Sequence, residues 1–179
     1  VVAPLKETLA AALLLKAGWP AIAAAGGSLL DPLCGSGTLP IEAAWIAGDR
    51  APGLMRDRWG FDGWLSHIPA LWNRLLAEAR ERREAGRARI PPILASDRDP
   101  QAVRATSLNA GRAGVTDRIR IERRELADIE PPPGPPGPLI ANPPYGERLG
   151  ERAELAELYA RLGDRLKAGF AGWRAAVFT

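Results

Sequence analysis

Three short apolar runs and one alternating stretch, each closing on polar, loop-forming residues, constrain the fold of this chain more than any other feature. Ser28-Leu29-Leu30 runs into Asp31, Ile93-Leu94-Ala95-Ser96 into Asp97, and Leu139-Ile140-Ala141 into Asn142. Ile119-Arg120-Ile121 is followed by a stretch that holds Glu125 and Asp128. Runs of this length between longer helical patterns predict strands alternating with helices, hence an α/β chain. In an open α/β sheet, ligands bind outside the carboxyl ends of the strands, so function is expected at these polar closures.

The helices follow from spacing. Leu5, Leu9, Ala12, Leu13 and Lys16 predict an amphipathic helix over Ala3 to Lys16, with Pro4 in its first turn and Gly18 and Pro20 ending it. Leu39 to Ala47 is expected to be helical, with Pro40 in the first turn, where no backbone donor is missed. Asp99 precedes Pro100 and is expected to cap a helix over Pro100 to Ala113. Leu155, Leu158, Leu162 and Leu166 share one face of a helix over Glu151 to Lys167, and Trp173 to Phe178 forms a fifth strand. Pro131 to Pro138 is proline and glycine throughout and must be extended loop.

Residues 48–90 interrupt the rhythm as a helical insertion. Pro52-Gly53 turns, Trp59 to Trp64 is aromatic and glycine-rich, and Leu65 to Arg89 is a long helical stretch of alternating charge. A solvated face is the ordinary reading of such a run, and RNA contact by Arg80, Arg82, Arg83 and Arg87 the sharper one. His67 is read as a helix-start residue rather than a general base.

The loop Asp31-Pro32-Leu33-Cys34-Gly35-Ser36-Gly37-Thr38 joins strand to helix. Its glycines let the backbone approach a ligand, and the helix start supplies N–H groups and a positive dipole end. It lacks both Gly-x-Gly-x-x-Gly and the Lys-Ser/Thr of a P-loop. Asp31 would repel a pyrophosphate and attract the ammonium of an amino-acid-like cofactor, which points to S-adenosylmethionine. A ribose needs an acid at the second strand end, because its two hydroxyls can both donate to one carboxylate. With Asp99 committed to capping, Asp97 takes that place, and Glu125 or Asp128 could accept from the cofactor's adenine amine. At the fourth strand end Asn142 precedes a proline and is held fairly still. The Asn142 side-chain oxygen and the Pro143 carbonyl can both accept from one exocyclic NH2 group, and Tyr145 offers a face on which a base can stack. The plainer reading is a proline-rich turn that ends a strand.

At 179 residues, 46% apolar and 25% charged, the chain is expected to be one soluble domain over 1–179. No apolar stretch reaches membrane-spanning length. One cysteine and one histidine exclude a disulfide framework and cysteine- or histidine-rich metal sites, and fit the cytoplasm. The net charge of +3, carried mostly by arginine, permits a nucleic-acid partner. A start at Val1 and an apolar end suggest a piece of a longer protein.

On these residues the sequence resembles the Rossmann-like class I S-adenosylmethionine-dependent methyltransferases that modify exocyclic amines. Ala3 to Ala10, Asp31 to Thr38, Arg58-Trp59-Gly60-Phe61 and Asn142 to Arg148 are similar to the catalytic domain of the bacterial 23S ribosomal RNA guanine-N2 methyltransferases. Proteins of that group often carry the label N6-adenine-specific DNA methylase. The resemblance implies a mostly parallel sheet with flanking helices, truncated here after the fifth strand where the family has two more, ribosomal RNA as substrate, and an RNA-binding THUMP domain preceding this region. It implies Asn142, Pro143, Pro144 and Tyr145 as the catalytic turn. It further implies a cofactor set of Asp31, Pro32, Cys34, Gly35, Ser36, Gly37, Thr38, Asp97, Arg98, Glu125 and Asn142, with no metal. Two other readings stand beside it: a DNA adenine-N6 methyltransferase, and a non-catalytic RNA-binding module on a methyltransferase fold.

Overall fold

In the computed structural model, which describes residues 5–144 and 151–178, the chain opens with two helices, α1 (Glu7–Lys16) and α2 (Trp19–Ala24). Gly18 ends α1 in a left-handed conformation, φ +79. Pro20 does not stop a helix, as the sequence suggested. It is the second residue of α2, where a missing N–H leaves no bond unmade. Trp19, fully buried, donates its indole N–H to the Ala43 carbonyl at 2.9 Å, which locks α2 to the helix after the first strand.

There follow β1 (Leu29–Asp31), α3 (Thr38–Ala47), α4 (Pro69–Arg87), β2 (Ile93–Asp97), α5 (Pro100–Arg112), β3 (Ile119–Arg123), β4 (Pro138–Ala141), α6 (Glu151–Gly169) and β5 (Arg174–Val177). All five strands are parallel, in the order β3-β2-β1-β4-β5. The chain steps outward from β1 through β2 to β3, then returns to the other side of β1 with β4. That reversal puts a topological switch point between the carboxyl ends of β1 and β4, which is where Asp31 and Asn142 sit.

The three central strands, β1, β2 and β4, are largely apolar runs because both sheet faces are covered there, whereas the edge strand β3 alternates apolar and charged residues. Successive side chains point to opposite faces. Leu29, Ile93, Ala95 and Ile140 pack with Ala10, Leu14, Trp19, Leu39, Ala43 and Ala110 of the helices on one side. Leu30, Leu94, Leu139 and Ala141 pack with Leu126, Ile129, Leu162 and Phe170 on the other. Each buried leucine or isoleucine contributes roughly 1.5–3 kcal/mol, so the sheet centre holds most of the stability.

Between α3 and β2 lie a tight helical turn, Pro52–Met55, an aromatic knot and α4. Phe61 and Trp59 both meet Trp72 edge-on, with centroids 4.9 Å apart. α4 begins at Pro69, later than the Leu65 expected, so His67 lies before the helix and not at its first turn. The far end of α4 crosses the end of α3 so closely that a Cβ on Gly86 would lie 1.9 Å from the Gly48 carbonyl oxygen. Arg82 pairs with Asp49 and Arg87 with Asp117, each at 2.8 Å, and Arg83 pairs with Glu84. Three of the four arginines considered for RNA contact are thus engaged within the chain. The proline-rich stretch before β4 is loop up to Gly137, tied to β1 by Ser28 Oγ donating to the Pro133 carbonyl at 2.6 Å, and Pro138 opens the strand. Among the described residues, no helix is long and apolar enough to cross a membrane.

Candidate functional site

The site is built from the loop after β1, because that loop sits at the switch point. Asp31 closes the strand almost wholly buried, at 2% exposure. One carboxylate oxygen accepts the Leu33 N–H at 3.1 Å, and no cation pairs with it among the described residues. Burial pushes its carboxyl up to about 7; the Leu33 bond lowers it in part, and the Asp97 charge raises it further. Pro32, also fully buried, stiffens the exit. Cys34 donates its N–H to the Ser96 carbonyl at 3.0 Å and lies with its sulfur 3.4 Å from the Thr106 hydroxyl. Burial pushes the Cys34 thiol up to about 12, which favours the neutral thiol.

The next residues turn the chain into α3. Gly35 and Gly37 have φ +52 and +83, a region other residues enter only with strain. A Cβ on Gly37 would also lie 2.8 Å from the Thr106 methyl, so no side chain fits there. At Gly35, by contrast, no described residue other than its chain neighbours comes within 4 Å of where a Cβ would be, so that side of the loop is open among the described residues. The Ser36 hydroxyl meets that of Thr38 at 3.3 Å, and α3 begins at Thr38 with its N-terminal dipole end facing the loop.

Asp97 closes β2, the strand beside β1, and spans two loops. One oxygen accepts the Gly35 N–H at 3.1 Å and the other the Asp99 N–H at 3.0 Å. Asp99 caps α5, accepting from the Gln101 N–H at 2.8 Å. On the other side of β1, Asn142 follows β4 half-buried and engaged in an interaction of its own; Pro143 is buried and Pro144 exposed. Tyr145 lies outside the described residues.

The sheet therefore brings Asp31, the Cys34–Thr38 turn, Asp97 and Asn142 to one edge. Arg98 is exposed on the surface, its carbonyl accepting from Arg123 Nε at 3.1 Å. Glu125 is exposed two residues past the outermost strand β3, at the start of the tight turn Leu126–Asp128. Sequence reasoning missed Thr106 and Asn109, which reach the loop from α5: Thr106 Oγ1 donates to the Gly35 carbonyl at 3.0 Å and Asn109 Nδ2 to the Ser36 carbonyl at 2.9 Å. Their spacing of three, on the inner face of an alanine-rich helix, was the available signal. An apolar groove of about 230 Å³, lined by Phe61, Trp64, His67, Ile68, Leu71 and Leu75 among others, shares no residue with the strand ends. No group of three or more His, Cys, Asp or Glu among the described residues could hold a metal ion.

The whole chain, residues 1–179, matches the family model UPF0020 (RMKL-like, methyltransferase domain). It is 57% identical over 182 residues to the protein named ribosomal RNA large subunit methyltransferase K/L of Syntrophotalea carbinolica, covering 100% of this chain and 26% of that protein. Of the solved structures, the SAH complex of SMU.472 superposes with a TM-score of 0.84 at 34% identity, over 97% of this chain and 44% of that one. A protein of Listeria monocytogenes described as a predicted N6-adenine-specific DNA methylase superposes with 0.83 at 34% identity, over 97% of this chain and 43% of that one. The chain spans about a quarter of the length of the curated relatives it matches.

Proposed function

We propose that this chain, which belongs to the UPF0020 family of RMKL-like methyltransferase domains, transfers a methyl group from S-adenosylmethionine to the exocyclic N2 amine of a guanosine in large-subunit ribosomal RNA. The observation that carries the reading is a buried carboxylate, Asp31, with no cationic partner among the described residues, at the strand end beside the Asn142-Pro143 turn. A buried charge without a partner is costly, and a ligand ammonium would relieve that cost. The residues fit the cofactor in two further respects. Asp97 keeps lone pairs for a ribose beyond its two backbone bonds, and the open side of Gly35 together with the α3 N-terminus suits a ligand carboxylate. A dinucleotide would set its pyrophosphate against Asp31.

The cofactor supplies an already electrophilic methyl group, so this chain's task is placement. Asn142 Oδ1 and the Pro143 carbonyl accept the two N–H bonds of the substrate amine and aim its lone pair. The same two oxygens favour the positive charge that develops on that nitrogen. Tyr145 stacks on the target base once it has left its helix, and Pro144 stiffens the turn. The cofactor cradle comprises Asp31, Pro32, Cys34 through Thr38 and Asp97, with Arg98 and Glu125 at its adenosine end. RNA as substrate is supported by the names of the curated relatives; a THUMP domain preceding this region, as the sequence resemblance implies, would supply RNA affinity. The test is methyl transfer by the full protein to ribosomal RNA from cells that lack it, against DNA, with nucleoside analysis of the product. N2-methylguanosine is expected. N6-methyladenosine or N6-methyldeoxyadenosine would replace the substrate, and no product from either nucleic acid would leave an RNA-binding module.

A further inference from the structure

We infer that Thr106 and Asn109 are positioning residues for methyl transfer, holding the cofactor loop in its binding shape from α5 without touching the ligand. This rests on the reading of that loop as the S-adenosylmethionine cradle. Thr106, fully buried, meets three parts of the loop: its hydroxyl donates to the Gly35 carbonyl at 3.0 Å and contacts Cys34 Sγ at 3.4 Å, while its methyl fills the space beside Gly37 that any Cβ would need. Asn109, one helical turn on, donates to the Ser36 carbonyl at 2.9 Å. Two successive carbonyls are thereby drawn toward α5. In a trans peptide the C=O and the following N–H point in opposite directions. The Gly35 tie therefore turns the Ser36 N–H away from α5. From the other flank Asp97 receives the Gly35 N–H. The Gly35-Ser36 segment, with Gly35 at positive φ, is clamped before any ligand arrives, so its ordering is not charged against binding.

The inner face of α5 is thus as much a part of the cofactor site as the loop it supports. The two residues divide the work. Thr106 acts through shape and hydroxyl together, and Asn109 through its amide alone, so conservative variants separate the contributions.

The test is calorimetric titration of the full protein with S-adenosylhomocysteine, with hydrogen exchange of the Cys34 to Gly37 amides as a second readout. Thr106→Val keeps the shape and removes the donor. We expect its Kd to rise about tenfold, its loop amides to exchange faster, and its cofactor KM to rise with kcat nearly unchanged. Thr106→Ser, which keeps the hydroxyl, should recover most of the affinity, and Asn109→Ala should match Thr106→Val. Wild-type affinity in both Thr106→Val and Asn109→Ala would overturn the inference while leaving the cofactor reading intact. So would wild-type affinity in Thr106→Val beside weak binding in Thr106→Ser, which would reduce Thr106 to packing. Failure of the wild-type protein itself to bind S-adenosylhomocysteine would overturn both.

Discussion

Replacing the Asp31 carboxylate by an amide, Asp31→Asn, should move stability and cofactor affinity in opposite directions, with a pH dependence that identifies the group. The carboxyl has an ordinary value near 3.8 in the unfolded chain and about 7 in the folded one, raised mainly by burial. The folded state therefore holds the proton more tightly, and the cost of ionising Asp31 is absent below about 3.8. It grows as pH rises toward 7 and is complete above it. At about 1.4 kcal/mol per pH unit, that rise gives a penalty of roughly 4 kcal/mol at pH 8. The Asp31→Asn variant would avoid that penalty, and its side-chain oxygen could still accept the Leu33 N–H. Unfolding free energies should then coincide for the two proteins near pH 4 and separate by a few kcal/mol in favour of the variant at pH 8. Binding should do the reverse. An arriving ammonium favours the ionised carboxylate, so wild-type affinity for S-adenosylhomocysteine should rise by about tenfold per pH unit from 5 to 7, with about one proton released per ligand bound. It should then level off until the ligand's own amine titrates. The variant should bind weakly and almost without pH dependence over 5 to 7. Titration calorimetry in buffers of differing ionisation enthalpy reads the proton count directly. Wild-type binding independent of pH between 5 and 7, or a variant less stable at pH 8, would refute the reasoning.

Asn142→Ala should lower methyl transfer on the order of a hundredfold, about 3 kcal/mol, while cofactor Kd stays nearly constant; steady-state kinetics with calorimetry separates the two. Asp97→Ala should weaken S-adenosylhomocysteine binding more than Asp99→Ala, whose main effect is loss of a helix cap worth about 1 kcal/mol, seen in thermal unfolding. Gly37→Ala combines a strained φ of +83 with a clash against Thr106, so it should cost about 1–3 kcal/mol of stability and lose cofactor binding together. Arg82→Ala removes an exposed pair with Asp49 and should change stability by less than about 1 kcal/mol while leaving the salt dependence of RNA binding unaltered.

Much of this molecule is legible in local sequence. The strands at β1, β2 and β4 are written as apolar runs because both faces of a parallel sheet are buried, and such runs need no knowledge of their partners. The cap at Asp99, the glycine turn at Gly35 and Gly37, and the start of α3 follow from backbone chemistry within a few residues. Strand ends were legible for the same reason, and with them the acids Asp31 and Asp97. Pro20 misled because a proline signals the end of one helix and the start of another equally well, and only the burial of Trp19 against α3 favours the second.

What the chain could not state locally is adjacency. Nothing near Gly35 in sequence says that Asp97, 62 residues on, will take its N–H, or that Thr106 and Asn109, 71 and 73 residues from their partners Gly35 and Ser36, will hold its carbonyls. Those bonds exist because β2 docks beside β1 and carries α5 back over the loop. Likewise the arginines of α4 have the same pattern whether solvated or engaged, and the crossing at Gly86 decided that Arg82 meets Asp49. Periodicity encodes which face of an element is buried, since that depends on the side chains of the element itself. It does not encode what lies against that face, since that depends on strand order, which is set by the packing of the whole sheet.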